Sequence, residues 1–95
     1  LIPINYSLSQ NYPNPFNPKT KIQFSIPKNE HVKLIIFDMR GRQVRQLINT
    51  KIQAGNHYAL WDGKNQLGEN VSTGVYFYRL STEAFSKNRK MILLK

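Results

Sequence analysis

The sequence predicts an all-β protein, an antiparallel immunoglobulin-like β-sandwich of about seven strands with negligible helix. Two observations lead to this prediction. Apolar and polar residues alternate with a period of two along most of the chain, and the 3.6-residue period of an amphipathic helix is almost absent. Turn residues interrupt the alternation at short, even intervals, which is typical of hairpin-connected strands. A small closed barrel is the alternative fold that the same pattern allows.

The 95 residues correspond to one domain. The chain has no cysteine, which excludes thiol catalysis, a disulfide scaffold and cysteine-based zinc sites. No apolar run approaches the length of a membrane-spanning helix. Because the chain begins with leucine and carries no signal peptide, we expect it to be part of a larger polypeptide.

The chain is strongly basic, with 14 Lys and Arg residues, five Asp and Glu residues and a formal net charge of +9. This charge attracts nucleic acid, an anionic lipid surface or an acidic partner. The sequence has no recognition helix, zinc finger or RNA-stacking motif, so nucleic-acid binding is not expected. The densest basic groups are Arg40, Arg42 and Arg45, and then Lys87, Arg89, Lys90 and Lys95.

Residues 1–16 are expected to form an extended lead-in or linker, and residues 17–95 the β-sandwich. Between residues 9 and 18, three prolines alternate with asparagines. Proline fixes φ and has no backbone N–H, so this segment cannot form a helix or an interior strand. We therefore expect a stiff, extended segment that lies against the strands that follow it.

The first two strands after the lead-in are expected at residues 21–26 and 32–38. Their inward rows are Ile22, Phe24 and Ile26, and then Val32, Leu34 and Ile36. Residues 40–42 form a tight hairpin loop in which Gly41 can adopt positive φ. In the next strand, residues 43–49, two polar residues separate Val44 from Leu47, which predicts a bulge or a frayed edge.

The later strands are expected at residues 57–61, 75–81 and 85–94, with a polar loop from 62 to 73. We expect Trp61, Tyr76 and Tyr78 to be core residues, with a hydroxyl bonded to a loop backbone. A sugar-stacking platform that also uses Phe24 is the alternative interpretation.

If Trp61 faces inward, Tyr58 and Leu60 face outward, because neighbouring side chains on a strand point to opposite faces. Ile35 and Phe37 face outward on their own strand by the same rule. Should these two strands be neighbours, the four side chains form an apolar patch that requires a partner or a cover.

No enzyme activity, catalytic residue or cofactor is expected. Four of the five acids lie in predicted turns or loops, and the exception is Asp38. His31 and His57 open different strands, and the serines lack the glycine-flanked elbow of an acyl-transfer nucleophile. These residue types are too scattered to form a catalytic group.

The loop of residues 62–70 contains oxygen donors that calcium accepts, namely Asp62, Asn65, Glu69 and Asn70. Their spacing does not match an EF-hand, and Lys64 places a positive charge among them. Asn and Asp side chains that bond their own loop backbone explain the same residues. We therefore expect no metal site.

Seven short motifs occur in order along the chain. They are residues 10–18, Ile26-Pro27, residues 38–42, Ala54-Gly55, Trp61-Asp62-Gly63, residues 72–76 and residues 90–95. In this order and at these intervals the motifs resemble the C-terminal sorting domain of proteins exported by the type IX secretion system of Gram-negative bacteria. The related fold is a seven-stranded β-sandwich, similar also to the immunoglobulin-like domain of the flagellar hook-capping protein.

The resemblance implies a non-catalytic sorting and anchoring signal behind a secreted cargo domain. Such a domain folds in the periplasm, and the outer-membrane machinery recognises it. A sortase often removes it and attaches the cargo to lipopolysaccharide at the cell surface. Structural roles are implied for Asn14, Pro15, Phe16, Asn17, Pro18, Gly41, Trp61, Asp62, Gly63, Tyr76 and Tyr78. Partner recognition is implied for Gly74, Arg89, Lys90, Met91, Leu93 and Lys95.

A physical route to recognition accompanies the resemblance. The last strand is expected at a sheet edge, where free backbone donors and acceptors can add to a partner sheet or to a second copy of the chain. Its basic residues would steer it toward an acidic receptor or lipopolysaccharide phosphates. A carbohydrate-binding or adhesive module that uses Tyr58 and Leu60 is one alternative. A passive spacer, which predicts that the chain continues beyond Lys95, is the other.

Overall fold

The computed structural model describes residues 2–95. These residues form seven antiparallel strands and no helix, which confirms the predicted all-β sandwich. The strands are β1 (Ser7–Leu8), β2 (Thr20–Ile26), β3 (Glu30–Asp38), β4 (Gln43–Ile52), β5 (Gly55–Trp61), β6 (Gly74–Ser81) and β7 (Ser86–Leu93). One sheet has three strands in the order β1-β2-β5, and the other has four in the order β4-β3-β6-β7.

The core lies between the two sheets and is built from the inward row of each strand. Period-two alternation places these apolar side chains on one face of each strand, where the opposite sheet covers them. The core residues are Leu8, Phe16, Ile22, Phe24, Ile26, Val32, Leu34, Ile36, Trp61, Tyr76, Tyr78, Leu80, Met91 and Leu93. Both strands predicted from residues 21–38 therefore have the expected inward rows.

The β3–β4 hairpin has the tight loop and the irregular strand that the sequence predicts. Gly41 adopts φ +82°, and its N–H donates to the Asp38 carbonyl at 3.0 Å. The register of β3 with β4 shifts twice, and the unpaired residues on β4 are Val44 and Leu47. The predicted bulge is thus confirmed, with one extra residue at each of these positions.

The seventh strand, β1, lies in the lead-in, where the sequence predicted no strand. It is an edge strand that, among residues 2–95, pairs only with β2, and an edge is the position that the neighbouring prolines allow. The lead-in then follows β2 through a bridge between Tyr12 and Lys21 and reaches β7 through a parallel bridge between Phe16 and Leu93. It therefore crosses from one sheet to the other and closes that side of the sandwich.

The predicted outward residues do face outward, but they do not form one patch. Tyr58 and Leu60 are each 60% exposed on the three-stranded sheet. Ile35 and Phe37 lie on the outer face of the four-stranded sheet, where β3 pairs with β4 and β6 rather than with β5. The condition for a single patch, that these two strands are neighbours, is not met, because they belong to different sheets.

Candidate recognition surface

The last strand, β7, is the edge of the four-stranded sheet and pairs only with β6 in that sheet. Its side chains alternate between the core and the outer face. Met91 and Leu93 are fully buried, whereas Lys90 is exposed. Of the predicted recognition residues, Met91 and Leu93 are therefore covered in the folded sandwich, and their side chains contribute through packing.

The C-terminal half of β7 is covered along its outer edge by the lead-in. Phe16 N–H donates to the Ile92 carbonyl at 3.0 Å, and Leu94 N–H donates to the Phe16 carbonyl at 2.9 Å. The N–H of Ile92 donates to Oδ1 of Asn14 at 3.0 Å. The backbone groups of this half are consequently satisfied within the chain.

The lead-in also covers the edge of β7 at Lys90. Nε2 of Gln10 donates to the Lys90 carbonyl at 2.7 Å. Successive residues of a strand direct their N–H and C=O groups alternately toward one neighbouring strand and the other. The groups that point away from β6 before Lys90 therefore belong to Asn88 and Ser86. Among residues 2–95, no hydrogen bond reaches the outward backbone groups of Asn88 or Ser86. The open edge of β7 is therefore the segment from Ser86 to the N–H of Lys90.

Two side chains from the four-stranded sheet bind backbone carbonyls of the lead-in. The hydroxyl of Tyr78 donates to the Ser9 carbonyl at 2.6 Å, and Nε of Arg89 donates to the Leu8 carbonyl at 2.6 Å. Burial raises the pKa of Tyr78 to about 12, although the nearby charge of Arg89 opposes this rise. Arg89 is half-buried, so it acts as a link within the chain as well as a surface cation.

The exposed cations of the predicted recognition set are Lys90 and Lys95. Lys90 lies opposite Phe77 on the outer face, and the ammonium of Lys95 donates to the Val71 carbonyl. Gly74 begins β6 opposite Leu93, and a Cβ built there would meet no atom within 4 Å. The end of β7 thus presents exposed positive charge, and Gly74 at the start of β6 is paired with Leu93.

The Trp61-Asp62-Gly63 motif lies where the lead-in meets β7. The Phe16 ring packs on the Trp61 indole, with centroids 5.6 Å apart. Gly63 adopts φ +74°, and a Cβ there would lie 3.3 Å from the Pro18 carbonyl oxygen and 3.7 Å from Leu93. Glycine allows this close approach, so the proline lead-in, the corner after β5 and the last strand form one packed unit.

Buried polar groups of the aromatic residues are tied to loops. Nε1 of Trp61 donates to the Lys64 carbonyl at 2.9 Å, and the hydroxyl of Tyr76 donates to the Ser72 carbonyl at 2.6 Å. Both carbonyls belong to the loop between β5 and β6. The aromatic core therefore also fixes the loop that precedes Gly74.

The side-chain oxygens of Asp62, Asn65 and Glu69 accept hydrogen bonds from within the loop. Oδ1 of Asn65 accepts from the N–H groups of Leu67 and Glu69, each at 3.0 Å, and Oδ1 of Asp62 accepts from Lys64 N–H at 3.1 Å. Within residues 2–95, no group of three or more His, Cys, Asp or Glu side chains is arranged to hold a metal ion. The same residues contain no helix that is long and apolar enough to span a membrane.

Two features of the surface were not anticipated from the sequence. The first is the covering of β7 by Gln10, Asn14 and Phe16, a contact between opposite ends of the chain for which the sequence gives no local signal. The second is the outward row of β6, which includes Phe77 and Arg79. That row could have been found, because its residues alternate with the buried Tyr76, Tyr78 and Leu80.

In a comparison with known families, residues 10–94 match the secretion system C-terminal sorting domain. Solved structures with similar folds include dimeric latent PorU from Porphyromonas gingivalis, with a TM-score of 0.73 and 20% identity over 92% of this chain and 9% of that one. PorZ, described as an essential surface component of the type IX secretion system of the same bacterium, gives a TM-score of 0.66 and 20% identity over 94% and 12% of the two chains.

FlgD from P. aeruginosa gives a TM-score of 0.62 and 23% identity, over 78% of this chain and 57% of that chain. At these identities the three likenesses show the fold alone. The chain spans only a small part of PorU and PorZ. The curated proteins give no match.

Proposed function

The chain belongs to the family of secretion system C-terminal sorting domains, and on this premise we propose that it directs a cargo protein through the type IX secretion system to the cell surface. The observation that carries the proposal is the family match over residues 10–94, almost the whole sandwich. The likeness to PorZ, which is described as a component of the type IX secretion system, supports the assignment to that system.

The domain acts in this proposal by being recognised, without catalysis of its own. Its five acids lie at strand ends or in loops, and Asp38 and Asp62 form ion pairs with arginines. Recognition requires a folded surface and an accessible element rather than a positioned acid, base or nucleophile. The open backbone of β7 from Ser86 to Lys90 is the element that we assign to it.

The proposed sequence of events follows from this assignment. The domain folds behind its cargo in the periplasm, the outer-membrane machinery binds it, and a sortase separates it from the cargo at the surface. Lys90 and Lys95 are exposed near the end of β7 and would attract an acidic receptor or lipopolysaccharide phosphates. A dimer through the open edge of β7 is also compatible with the unpaired backbone groups, but only over a few residues.

The test uses a fluorescent cargo fused to the chain in a host that has the type IX system. We expect the fusion to reach the cell surface and the cargo alone to remain inside. Changing Lys90→Gln and Lys95→Gln together should reduce the surface signal by about tenfold, because the steering charge beside β7 is lost. A fusion that is exported no better than the cargo alone would refute the proposal.

The matched control changes Lys28→Gln and Lys51→Gln, two exposed lysines that lie in the turn before β3 and on β4, the edge strand opposite β7. This variant has the same net charge as the first. If both variants lose the same amount of export, recognition depends on total charge, and the assignment to Lys90 and Lys95 is wrong. Thermal unfolding of the purified variants shows whether each remains folded.

A second candidate function, binding of carbohydrate, is favoured by the outer face of the three-stranded sheet. Tyr12 and Leu60 flank Lys21 in one row across the sheet, and the Lys21 ammonium lies 4.7 Å from the centroid of the Tyr58 ring. Exposed tyrosine rings stack on sugars. Retention of the chain on insoluble polysaccharide, and its loss in Tyr58→Ala, would support this candidate; a chain that is not retained excludes it.

A further inference from the structure

The outer face of the four-stranded sheet carries an apolar patch beside the open edge of β7. We define the sheet-face patch as Ile35, Phe37, Val75, Phe77 and Ile92. Phe37 lies opposite Phe77, and Val75 lies opposite Ile92, so the patch is continuous across β3, β6 and β7. All five side chains are half-buried. The solvated face of an antiparallel sheet is usually polar, so this patch is an exception.

Arg79 lies in the middle of this face, opposite Ile35, and its guanidinium is held in place. Nε of Arg79 donates to Oδ1 of Asn88 at 2.9 Å, and the guanidinium carbon lies 4.7 Å from the centroid of the Phe37 ring. Within residues 2–95, the terminal nitrogens of Arg79 have no hydrogen-bond or ion-pair partner. A guanidinium held in this way presents a donor pair that fits one carboxylate.

A shallow cleft lies beside this guanidinium. It is lined by Phe37, Asp38, Met39, Gly41, Phe77, Arg79 and Asn88. The carboxylate of Asp38 does not neutralise Arg79, because it accepts from Nε of Arg42 at 2.9 Å and from the N–H groups of Arg40 and Arg42. The cleft therefore combines aromatic walls with one guanidinium, that of Arg79, whose two terminal nitrogens (the Arg79 fork) are available to a carboxylate.

We propose that the sheet-face patch and Arg79 form a docking site for an acidic protein segment of the export machinery, in which one carboxylate binds the Arg79 fork and apolar side chains cover Phe37 and Phe77. This inference rests on the proposed function. Aromatic residues and arginine are enriched at the energetic centres of protein interfaces. The site adjoins Lys90 and the open edge of β7, so one partner can contact both.

The charge of this face selects against a second copy of the chain. The charged outward residues within β3, β6 and β7 are Lys33, Arg79 and Lys90, and the acid nearest the site is already paired with Arg42. A symmetric dimer through this face would place these cations against one another, which is unfavourable. An acidic partner meets the same charges favourably.

The shape of the face distinguishes a protein partner from a lipid surface. Membrane-surface elements insert protruding apolar side chains several ångströms into the lipid. Here Phe37 and Phe77 are half-buried in a pleated sheet, and among the apolar residues that line the cleft Met39 alone protrudes, with 71% of its surface exposed. A flat aromatic surface around a fixed guanidinium instead resembles the centre of a protein interface.

The test uses the fluorescent cargo fusion with Arg79→Gln, Arg79→Lys and Phe77→Thr. Loss of a charge-assisted hydrogen-bond pair should lower the surface signal by roughly tenfold in Arg79→Gln. Arg79→Lys keeps the charge but lacks the fork, so its signal should lie between those of Arg79→Gln and the unmodified fusion. Phe77→Thr should also reduce export. Arg79 is exposed, so its variants are expected to fold, and thermal unfolding checks this.

The matched controls are Lys21→Gln and Tyr58→Thr, which make the same kinds of change on the other sheet. Loss of export in the Arg79 and Phe77 variants alone supports the proposal. Unchanged export of all variants overturns the docking site and leaves the proposed function intact. Failure of the unmodified fusion to be exported removes both. Arg79-dependent binding of the purified chain to lipopolysaccharide vesicles would overturn the protein partner in favour of a lipid surface.

Discussion

At the residue scale, the fold depends on polar side chains that satisfy carbonyls of a segment poor in backbone donors. Proline removes N–H groups from the lead-in, and its carbonyls still require partners when they are buried. Tyr78 supplies one such partner at Ser9, and Arg89 supplies another at Leu8. These two contacts connect positions about 70 to 80 residues apart in the sequence, which no local pattern reveals.

The pH dependence of unfolding should report the burial of Tyr78. Its folded-state pKa is about 12, above the value of 10.0 for an unperturbed tyrosine. The stability that Tyr78 contributes is therefore complete below pH 10 and is lost as the pH rises from 10 to 12. In Tyr78→Phe this loss should be smaller. At neutral pH the variant should be less stable by about 1–2 kcal/mol, because the Ser9 carbonyl loses its donor.

Urea unfolding at pH 8, 10, 11 and 12 measures this effect. Tyr12→Phe is the control, because Tyr12 is largely exposed and its hydroxyl makes no hydrogen bond within residues 2–95. The control should follow the unmodified chain at every pH. If Tyr78→Phe keeps the full alkaline loss, the buried hydroxyl is not its source.

At the element scale, the lead-in behaves as part of the sandwich. Leu8 and Phe16 are 1% and 2% exposed and belong to the core, and β1 adds a strand to the smaller sheet. The lead-in also occupies the backbone of β7 near Ile92. An edge strand whose outer groups are satisfied in this way is protected from unwanted pairing along that half, and the rest remains open.

Truncation tests where the folded unit begins. The boundary expected from the sequence places residues 1–16 outside the sandwich. The burial of Leu8 and Phe16 favours an earlier start, so removal of residues 1–16 should destabilise the chain by at least about 3 kcal/mol, since loss of a buried aromatic side chain alone costs that much. Urea unfolding of the fragment 17–95 measures the change.

Removal of residues 1–4 is the control for this truncation, because Ile2 and Ile4 are exposed. Its unfolding midpoint should equal that of the full chain. If the fragment 17–95 also keeps the full midpoint, the lead-in is a linker, and the boundary at residue 16 is correct.

At the scale of the whole molecule, the two ends of the chain are joined in one packed structure. The N–H of Phe16 donates a hydrogen bond to the Ile92 carbonyl of β7, and Met91 and Leu93 pack in the core between the sheets. Deleting the last strand would therefore remove core packing together with any recognition element, and loss of export would not separate folding from binding. Point changes at exposed positions such as Lys90 and Arg79 avoid this ambiguity.

The arrangement of charge is also a property of the whole molecule. All five acids lie at strand ends or in loops, so the outer faces of both sheets carry positive charge among apolar side chains. A positively charged surface speeds association with an acidic partner, and this attraction weakens as salt is added. This arrangement fits a domain that is recognised through its sheet faces and edge, and it is visible only once the strands are placed.

Much of the fold was predictable because it depends on local alternation. The inward rows of β2 and β3, the loop at Gly41 and the bulges at Val44 and Leu47 all follow from spacing along one or two adjacent strands. The candidate site was predictable only in part. The exposure of Lys90 and Lys95 agrees with their proposed role, whereas the burial of Met91 and Leu93 depends on which face of β7 meets the core.

The sequence by itself determined the strand pattern, the turns, the net charge and, through its ordered motifs, the family. Tertiary structure decided which strands share a sheet and which face covers which. It therefore separated Tyr58 from Phe37, brought Phe77 and Arg79 beside Phe37, and placed the lead-in over β7. The physical reason is that alternation fixes which side chains share a face of one strand, whereas strand order arises from long-range packing and hydrogen bonds that no local spacing encodes.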